Sequence, residues 1–139
     1  MTEEIINSNY SYMDVEFVGI RIEVPSNIPM LLFKEFGTNK YLPISIGMPE
    51  ATSIMTILQN QQLSRPLTHD LFYSFLDIAN YVISNLNISH VENGTFYAEV
   101  IFTEDKSKNE IKLSCRPSDG VALAIRSATP VTIQIAKEL

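Results

Sequence analysis

The sequence predicts an α+β fold: two units of three strands and a helix, over 13–60 and 86–128, with an extra helix between them and a C-terminal strand. Three observations predict it. Apolar and polar residues alternate over several short segments, as in half-buried strands. Three other segments repeat apolar residues at helical spacing, and each follows a proline. Turn-forming residues such as Asn93-Gly94 separate the strand segments.

The first unit begins with a strand over 13–24. Its apolar residues change parity beside Gly19, which predicts a β-bulge there. A turn is predicted over 25–29, and two short strands follow over 30–36 and 40–46.

The helix of the first unit follows Gly47-Met48-Pro49, which ends the sheet segment. Its apolar residues recur at helical spacing from Ala51 to Leu58. Glu50 falls in its first turn, where a carboxylate complements the helix dipole.

Pro66 and Thr68 indicate the start of the extra helix, after a polar linker. Its apolar residues predict one broad buried face. The residues of this predicted face are Leu71, Phe72, Phe75, Leu76, Ile78, Ala79 and Val82.

The second unit starts with alternating residues from Leu86 to Val91, and Asn-Gly then predicts a tight hairpin. Strands over 96–102 and 111–115 flank a charged turn. Pro117-Ser118 begins a helix that runs to Ala128, and a last strand covers 131–135. If a pseudo-twofold relates the two units, the helix starts at Glu50 and Asp119 face one site.

Length and composition indicate an ordinary globular protein. The chain has 139 residues and 45% hydrophobic residues, which fits one domain over 13–139 preceded by a loose leader over 1–12. No apolar run approaches the ~20 residues of a membrane span, so no membrane association is expected. The single cysteine, Cys115, excludes an internal disulfide and a CxxC zinc site. We expect a cytoplasmic protein.

The net charge of −6 is unfavourable for binding a polyanion, because nucleic-acid affinity comes mostly from neutralised phosphates. A nucleic-acid partner therefore requires a local basic site or a bound metal ion.

Two segments share one pattern: Arg-Pro, a hydroxyl residue, an acid and then an apolar helix. They are Arg65-Pro66-Leu67-Thr68-His69-Asp70 and Arg116-Pro117-Ser118-Asp119. One interpretation is purely structural. Thr68 and Ser118 are then N-caps, the two acids complement the helix dipoles, and each arginine pairs with its nearby acid.

The other interpretation is functional, because a helix N-terminus with an adjacent arginine binds phosphate. Oxygen and imidazole ligands suit Mg²⁺ or Mn²⁺, which can activate water for phosphodiester hydrolysis. The metal-ligand candidates are Glu50, Asp70 and Asp119, with His69 as a further ligand or as general acid or base. Because His69 and Asp70 are adjacent in sequence, they need not form a dyad.

Four ordered motifs resemble the bifunctional nuclease family of bacteria and plants. They lie at Leu42 to Ala51, Arg65 to Leu71, Gly94 to Ala98 and Arg116 to Arg126. The resemblance implies an α+β fold and nuclease activity on DNA and RNA. It implies catalytic candidates and phosphate-binding candidates at matching positions. The catalytic candidates are Glu50, His69, Asp70 and Asp119, and the phosphate-binding candidates are Arg65, Thr68, Arg116, Ser118 and Arg126.

The chain departs from the family pattern at two places. The family usually has an acid and a small residue before the second Arg-Pro, where this chain has Ser114 and Cys115. It usually has alanine after Ser-Asp, where this chain has Gly120.

The leading hypothesis is a nuclease of low sequence specificity, assisted by Mg²⁺ or Mn²⁺. The rival is a non-catalytic or regulatory module that binds a small anionic ligand. A third hypothesis is an interaction domain that forms a homo-oligomer through a strand edge or an apolar helix face.

Overall fold

Residues 10–139 are described by a computed structural model, in which a seven-stranded mixed sheet carries three helices on one face. The predicted α+β class is confirmed. The strands are β1 Tyr12–Glu23, β2 Ile28–Glu35, β3 Tyr41–Ser45, β4 Tyr81–Glu92, β5 Thr95–Glu104, β6 Glu110–Cys115 and β7 Thr132–Ala136. The helices are α1 Met48–Leu58, α2 Thr68–Ile78 and α3 Pro117–Ala124.

The C-terminal strand β7 joins two antiparallel three-stranded halves. The strand order is β3-β2-β1-β7-β4-β5-β6. β7 pairs antiparallel to β1, with Ile133 opposite Val15, and parallel to β4, with Ile133 opposite Leu86. Three residues of β7, Ile133 to Ile135, therefore pair with both halves. The order of elements along the chain agrees with the predicted order, and a structural repeat between the halves stays a prediction.

The core lies between the sheet and the helices, and alternate strand residues point into it. Ile54 of α1 and Val121 of α3 belong to one buried cluster with Leu31 and Leu86 of the sheet. A second cluster beneath α2 contains Leu76 and Phe102. The opposite face of the sheet carries no helix among residues 10–139.

Two local predictions are confirmed. The register of β1 against β2 shifts between Phe17 and Gly19, which is the predicted bulge, and Gly19 has φ +137°. Asn93 and Gly94 both have positive φ angles, as a tight hairpin between β4 and β5 requires.

The prediction for the extra helix is wrong in two respects. The helix α2 ends at Ile78 because Asn80 adopts a left-handed conformation with φ 64°, and β4 starts at Tyr81 rather than near Leu86. Val82 therefore lies in a strand. Of the helical residues, only Leu76 is buried, so the predicted broad buried face is largely exposed.

Other boundaries move by a few residues. β2 already begins at Ile28, inside the predicted turn, and α3 ends at Ala124 instead of Ala128. After Ala124, the backbone N–H groups of Arg126 and Ser127 donate to carbonyls three residues earlier, which tightens the last turn.

Residues 1–9 of the predicted leader lie outside the described residues. Tyr12 already belongs to β1, and the Ser11 carbonyl accepts a hydrogen bond of 2.8 Å from the Lys137 N–H. Within residues 10–139, no helix reaches the length and apolar character of a bilayer-spanning helix.

Candidate functional site

The N-termini of all three helices open onto one cleft of about 490 Å³. α1 follows the end of β3, α3 follows the end of β6, and α2 enters after the linker. The cleft is lined by Pro49, Glu50, Thr52, Ser53, Leu67, Thr68, His69, Arg116 and Asp119. Three segments that are distant in sequence therefore contribute their polar side chains to one concave surface.

Acids cap two of these helices, and the predicted hydroxyl caps are wrong. The N-cap residues are Leu67 and Arg116, so Thr68 and Ser118 lie inside the first turns. The Leu67 N–H donates to Asp70 Oδ2 at 2.7 Å, and the Arg116 N–H donates to Asp119 Oδ2 at 3.2 Å. A carboxylate three residues into the helix thus satisfies the N-cap amide in both cases.

His69 reaches from α2 to both other helices. Its Nδ1 lies 2.8 Å from Ser53 Oγ of α1, and its Nε2 lies 3.1 Å from Asp119 Oδ1 of α3. Only 15% of its side chain is exposed. Asp119, rather than the adjacent Asp70, is therefore the acid that pairs with His69.

Asp119 is held as a carboxylate by its neighbours. The His69 hydrogen bond, helped by Arg116, outweighs the effect of burial and lowers the pKa of Asp119 to about 2. Arg116 donates from Nε to Asp119 Oδ2 at 3.3 Å, and this hydrogen bond raises the pKa of the Arg116 guanidinium. Arg116 Nη1 also lies 3.8 Å from Glu50 Oε2, so one exposed guanidinium faces both acids of the cleft.

Asp70 and Arg126 form a second pair behind the cleft. Arg126 Nε donates to Asp70 Oδ1 at 2.7 Å, and Nη2 donates to Ser53 Oγ at 3.1 Å. Burial alone would raise the pKa of Asp70, but the bonds from Arg126 and the Leu67 amide lower it. The side chain of Arg126 is 4% exposed and a third donor, Nη1, binds the Ala122 carbonyl. This geometry favours a positioning role over phosphate contact for Arg126.

Two other predicted phosphate-binding residues lie away from the main cleft. Arg65 is exposed ahead of α2 and does not line it. Ser118 is buried and lines an adjoining cavity of about 310 Å³, which shares Glu50 and Arg116 with the main cleft. Thr68 is exposed and does line the main cleft.

Ser53 is the polar residue that the sequence analysis missed. It is buried, and its hydroxyl links His69 to Arg126. A single serine among the apolar residues of a helix belongs to no recognisable sequence motif. The available signal was spacing, since residues three apart share a helix face and Ser53 follows Glu50 by three.

The acids do not fit a ready metal site. Both oxygens of Asp70 and both of Asp119 already accept hydrogen bonds from protein donors. Within residues 10–139, no three side chains among histidine, cysteine, aspartate and glutamate are grouped so that they could hold a metal ion.

The first departure from the family pattern lies away from the cleft. Ser114 pairs with Glu99 in the sheet, while its neighbour Cys115 packs against both core clusters on the helix side. Because successive strand residues point to opposite faces of the sheet, Ser114 points to the face without helices. An acid at this position would not line the cleft, so its absence removes no group from it. Burial raises the pKa of Cys115 to about 12, which agrees with a packing role for this thiol.

The second departure has a packing reason. A Cβ atom on Gly120 would collide with the methyl groups of Leu86, which is fully buried beneath α3. The glycine lets α3 approach β4 closely at the helix turn that carries Asp119.

Comparison with known proteins identifies relatives over most of the chain. A family model described as "Bifunctional nuclease domain" matches residues 30–137. An uncharacterized protein of Mycobacterium tuberculosis is 41% identical over 121 residues, which are 87% of this chain and 71% of that protein.

More distant relatives come from plants. "Bifunctional nuclease 2" of Arabidopsis thaliana is 23% identical over 105 residues, and "Bifunctional nuclease 1" of the same plant is 22% identical over 107. These alignments cover 75% and 76% of this chain but 32% and 33% of the plant proteins.

Proposed function

This chain belongs to the bifunctional nuclease domain family, and on that premise we propose that it hydrolyses phosphodiester bonds of DNA, RNA or both with low sequence specificity. Nucleic acid is then its substrate. The proposal extends to this chain an activity that the plant relatives carry in their names.

The observation that carries the proposal is the convergence of three helix N-termini on one cleft with two acids, an imidazole and a guanidinium. The amide ends of helices attract anions, and an arginine adds a planar, bidentate phosphate donor. The acids and the imidazole are the groups that move protons in hydrolysis. The charged side chains of the cleft are two acids and one arginine, so they alone do not attract an anion. The N-termini of the helices therefore supply much of the attraction for phosphate.

We assign Arg116 to the substrate phosphate. Its side chain is 63% exposed, and ion pairs of such exposed groups are worth only about 0–1 kcal/mol. The guanidinium can therefore leave Glu50 and Asp119 for a phosphate at little cost.

Glu50 and His69 then divide the proton transfers between them. Glu50 accepts a proton from the attacking water as the new phosphorus–oxygen bond forms. His69 gives a proton from Nε2 to the leaving oxygen as the old phosphorus–oxygen bond breaks, and this transfer requires the Nε2–Asp119 hydrogen bond to open. Ser53 and Arg126 hold the imidazole and the α2 start in place.

A need for Mg²⁺ or Mn²⁺ stays a prediction. A metal ion would offset phosphate charge and activate water, with Glu50 as the acid of the cleft that is least committed to other partners. Parallel assays with Mg²⁺, with Mn²⁺ and with EDTA separate the two cases.

The test is cleavage of labelled single-stranded DNA, duplex DNA and RNA by the purified protein. We expect Glu50→Gln, His69→Ala and Asp119→Asn each to lower the rate at least about tenfold, as loss of one acid–base group does. The matched control is His90→Ala, because His90 is the other histidine and stacks between Tyr10 and Tyr97 away from the cleft. Cleavage that persists unchanged in all three cleft variants would come from a contaminant and would refute the proposal.

The rival function, a binding module for a small anionic ligand, is favoured by one observation. Asp70 and Asp119 each cap their own helix, so their presence needs no catalysis. Thermal-shift measurements with nucleotides and with inorganic phosphate test it, because a ligand of the native state raises the melting temperature. A large shift without cleavage would favour this rival.

A further inference from the structure

The adjoining cavity of about 310 Å³ is a part of the site that the proposed chemistry leaves unused. It opens beside the main cleft and shares two lining residues with it, Glu50 and Arg116. Its volume is at the lower end of the range of about 300–1,000 Å³ that small-molecule pockets span. The cavity is therefore large enough for one small ligand and too small for a length of oligonucleotide.

Both halves of the sheet contribute walls to this cavity. β3 and the residues before α1 supply Ile44, Ile46 and Gly47. The β4–β5 hairpin and the start of β5 supply Gly94 and Phe96. Ile44, Ile46 and Phe96 give the walls apolar surface, and an aromatic side chain is a surface on which any nucleobase can stack.

The charged side chains of the cavity lie only where it joins the main cleft. Among its lining residues within 10–139, Glu50 and Arg116 alone are charged, and all others are neutral. A nucleotide has the same division, because its phosphate is charged whereas its sugar and base are neutral at pH 7. A nucleotide whose phosphate contacts Arg116 can therefore place its neutral part in the cavity.

One polar side chain of the cavity wall has no partner. Ser118 is 3% exposed, and within residues 10–139 its hydroxyl forms no hydrogen bond. Asn87 Oδ1 is the one polar side-chain atom of the described residues that is both fully enclosed and unpaired, so the Ser118 oxygen is open to the cavity that this residue lines. Because buried polar groups normally have a partner, this hydroxyl has hydrogen-bonding capacity left for a ligand.

The position of His69 indicates which part of a substrate the cavity holds. His69 lines the main cleft but not the adjoining cavity. In the proposed reaction His69 gives its proton to the leaving oxygen, so the leaving group departs on the side of the main cleft. The part of the substrate in the adjoining cavity is then the part that keeps the phosphate.

We propose that the adjoining cavity is a nucleoside subsite, which holds the sugar and base of the nucleotide that retains the phosphate after cleavage. Ile46 and Phe96 contact the base, and the Ser118 hydroxyl forms a hydrogen bond with the sugar or the base. One hydroxyl both donates and accepts, so it serves different bases and agrees with low sequence specificity. The inference rests on the proposed nuclease function, which supplies the phosphate at Arg116 and the side of the leaving group.

Chromogenic esters with one common leaving group test the subsite. They are the p-nitrophenyl esters of thymidine 3′-phosphate, of thymidine 5′-phosphate and of methyl phosphate. The methyl ester has the same scissile bond but no nucleoside. We expect kcat/KM of the preferred thymidine ester to exceed that of the methyl ester at least about tenfold, because binding energy from the nucleoside is available to the transition state.

Two substitutions in the cavity should lower this ratio at least about fivefold. Ser118→Ala removes the hydroxyl, and Ile46→Trp fills the cavity. The matched controls are Ser114→Ala, on the face of the sheet without helices, and Leu42→Trp, since Leu42 is likewise partly buried against the same core cluster but lines a different cavity. Both controls should keep the ratio of the wild type, and melting temperatures of all four variants check that they fold.

Equal kcat/KM values for the thymidine and methyl esters would overturn the subsite but not the nuclease function, because both esters are still cleaved. A ratio that stays at the wild-type value in Ser118→Ala and Ile46→Trp would do the same. If the wild type cleaved neither the esters nor nucleic acid, the proposed function would fail, and calorimetric binding of thymidine 3′- and 5′-monophosphate would decide the subsite. Binding at least about tenfold tighter than that of inorganic phosphate, and weakened by Ser118→Ala, would support it, whereas equal affinities would overturn it.

Discussion

His69 is held at both ring nitrogens by side chains from two other helices. Ser53 Oγ accepts a hydrogen bond from Arg126 Nη2, and its own hydrogen is then free to point at His69 Nδ1. The neutral imidazole therefore carries its hydrogen on Nε2, towards Asp119. In the charged form both nitrogens donate, and the same two neighbours accept. The ring thus keeps one orientation in either charge state.

We expect Ser53→Ala to lower the cleavage rate about tenfold and to alter its pH profile, because the imidazole loses the group that orients Nδ1. The same change leaves a buried Arg126 donor without its side-chain acceptor, which should lower the free energy of unfolding by about 1–3 kcal/mol. Initial rates between pH 5 and 9 and urea denaturation measure the two effects.

Thr56→Ala is the control for this substitution. Thr56 is also buried in α1, but its hydroxyl donates to the Thr52 carbonyl within the helix. It should lower stability without changing the shape of the pH profile. If both variants altered the profile equally, the special role of Ser53 would be disproved.

Asp119 should also influence acid stability. Its native pKa of about 2 lies below the ordinary carboxyl value, so its contribution is fully present above about pH 4 and is lost as the pH falls through 2. We expect Asp119→Asn to lower the free energy of unfolding by on the order of 1–2 kcal/mol near pH 6. The difference in the free energy of unfolding between this variant and the wild type should decrease towards pH 2.

Thermal unfolding of both proteins from pH 2 to 6 measures that difference. Asp14→Asn serves as a comparison, since the partner of Asp14 is the neutral Gln134. If the difference in the free energy of unfolding between Asp119→Asn and the wild type stayed constant down to pH 2, the His69 contact would not stabilise the native state.

The residues of the site were predictable only where a motif marked them. Glu50, His69, Arg116 and Asp119 stand in helix-start motifs, and the structure brings them to one cleft. The sequence does not reveal burial, so the motif position of Arg126 predicts a phosphate ligand, whereas its donors bind protein acceptors in the structure.

At the scale of elements, the contact between α3 and β4 depends on the absence of a side chain at Gly120. We expect Gly120→Ala to lower the free energy of unfolding by about 1–3 kcal/mol through overpacking against Leu86, although alanine favours helices by about 1 kcal/mol.

The Leu86→Val exchange tests that explanation. In the double variant the shortened side chain makes room for the new Cβ, so urea denaturation should give a favourable coupling of about 0.5–3 kcal/mol between the two substitutions. If the effects of the two substitutions on the free energy of unfolding were strictly additive, the Leu86 side chain would not be what a Cβ atom at position 120 collides with.

The elements were largely predictable, and α2 shows where prediction failed. The 3.6-residue period continues past the true end of the helix to Val82, while a single left-handed residue, Asn80, ends it. Local periodicity also cannot tell which apolar face finds a partner within the same chain. The face that was expected to be buried instead leaves Phe75 and Ile78 in contact with water.

At the scale of the whole molecule, Arg126 ties the three helices together. It binds Asp70 of α2, Ser53 of α1 and Ala122 of α3. Removing one partner of a largely buried pair is costly, so we expect Arg126→Gln to lower the free energy of unfolding by roughly 2–4 kcal/mol. Arg116→Gln should cost less than about 1 kcal/mol, since that guanidinium is exposed.

Urea denaturation of both arginine variants checks this difference, and Asp70→Asn added to Arg126→Gln should recover part of the loss. Equal destabilisation by the two arginine substitutions would contradict the central role of Arg126.

The position of β7 has a consequence for biosynthesis. Glu50 lies in the helix that follows the first half of the sheet and Asp119 in the helix that follows the second, and the strand that joins the halves comes after both in the chain. While the chain is still emerging from the ribosome, each half can form its own meander, but the join between them is missing. The cleft therefore reaches its full geometry only after β7 has paired with both halves.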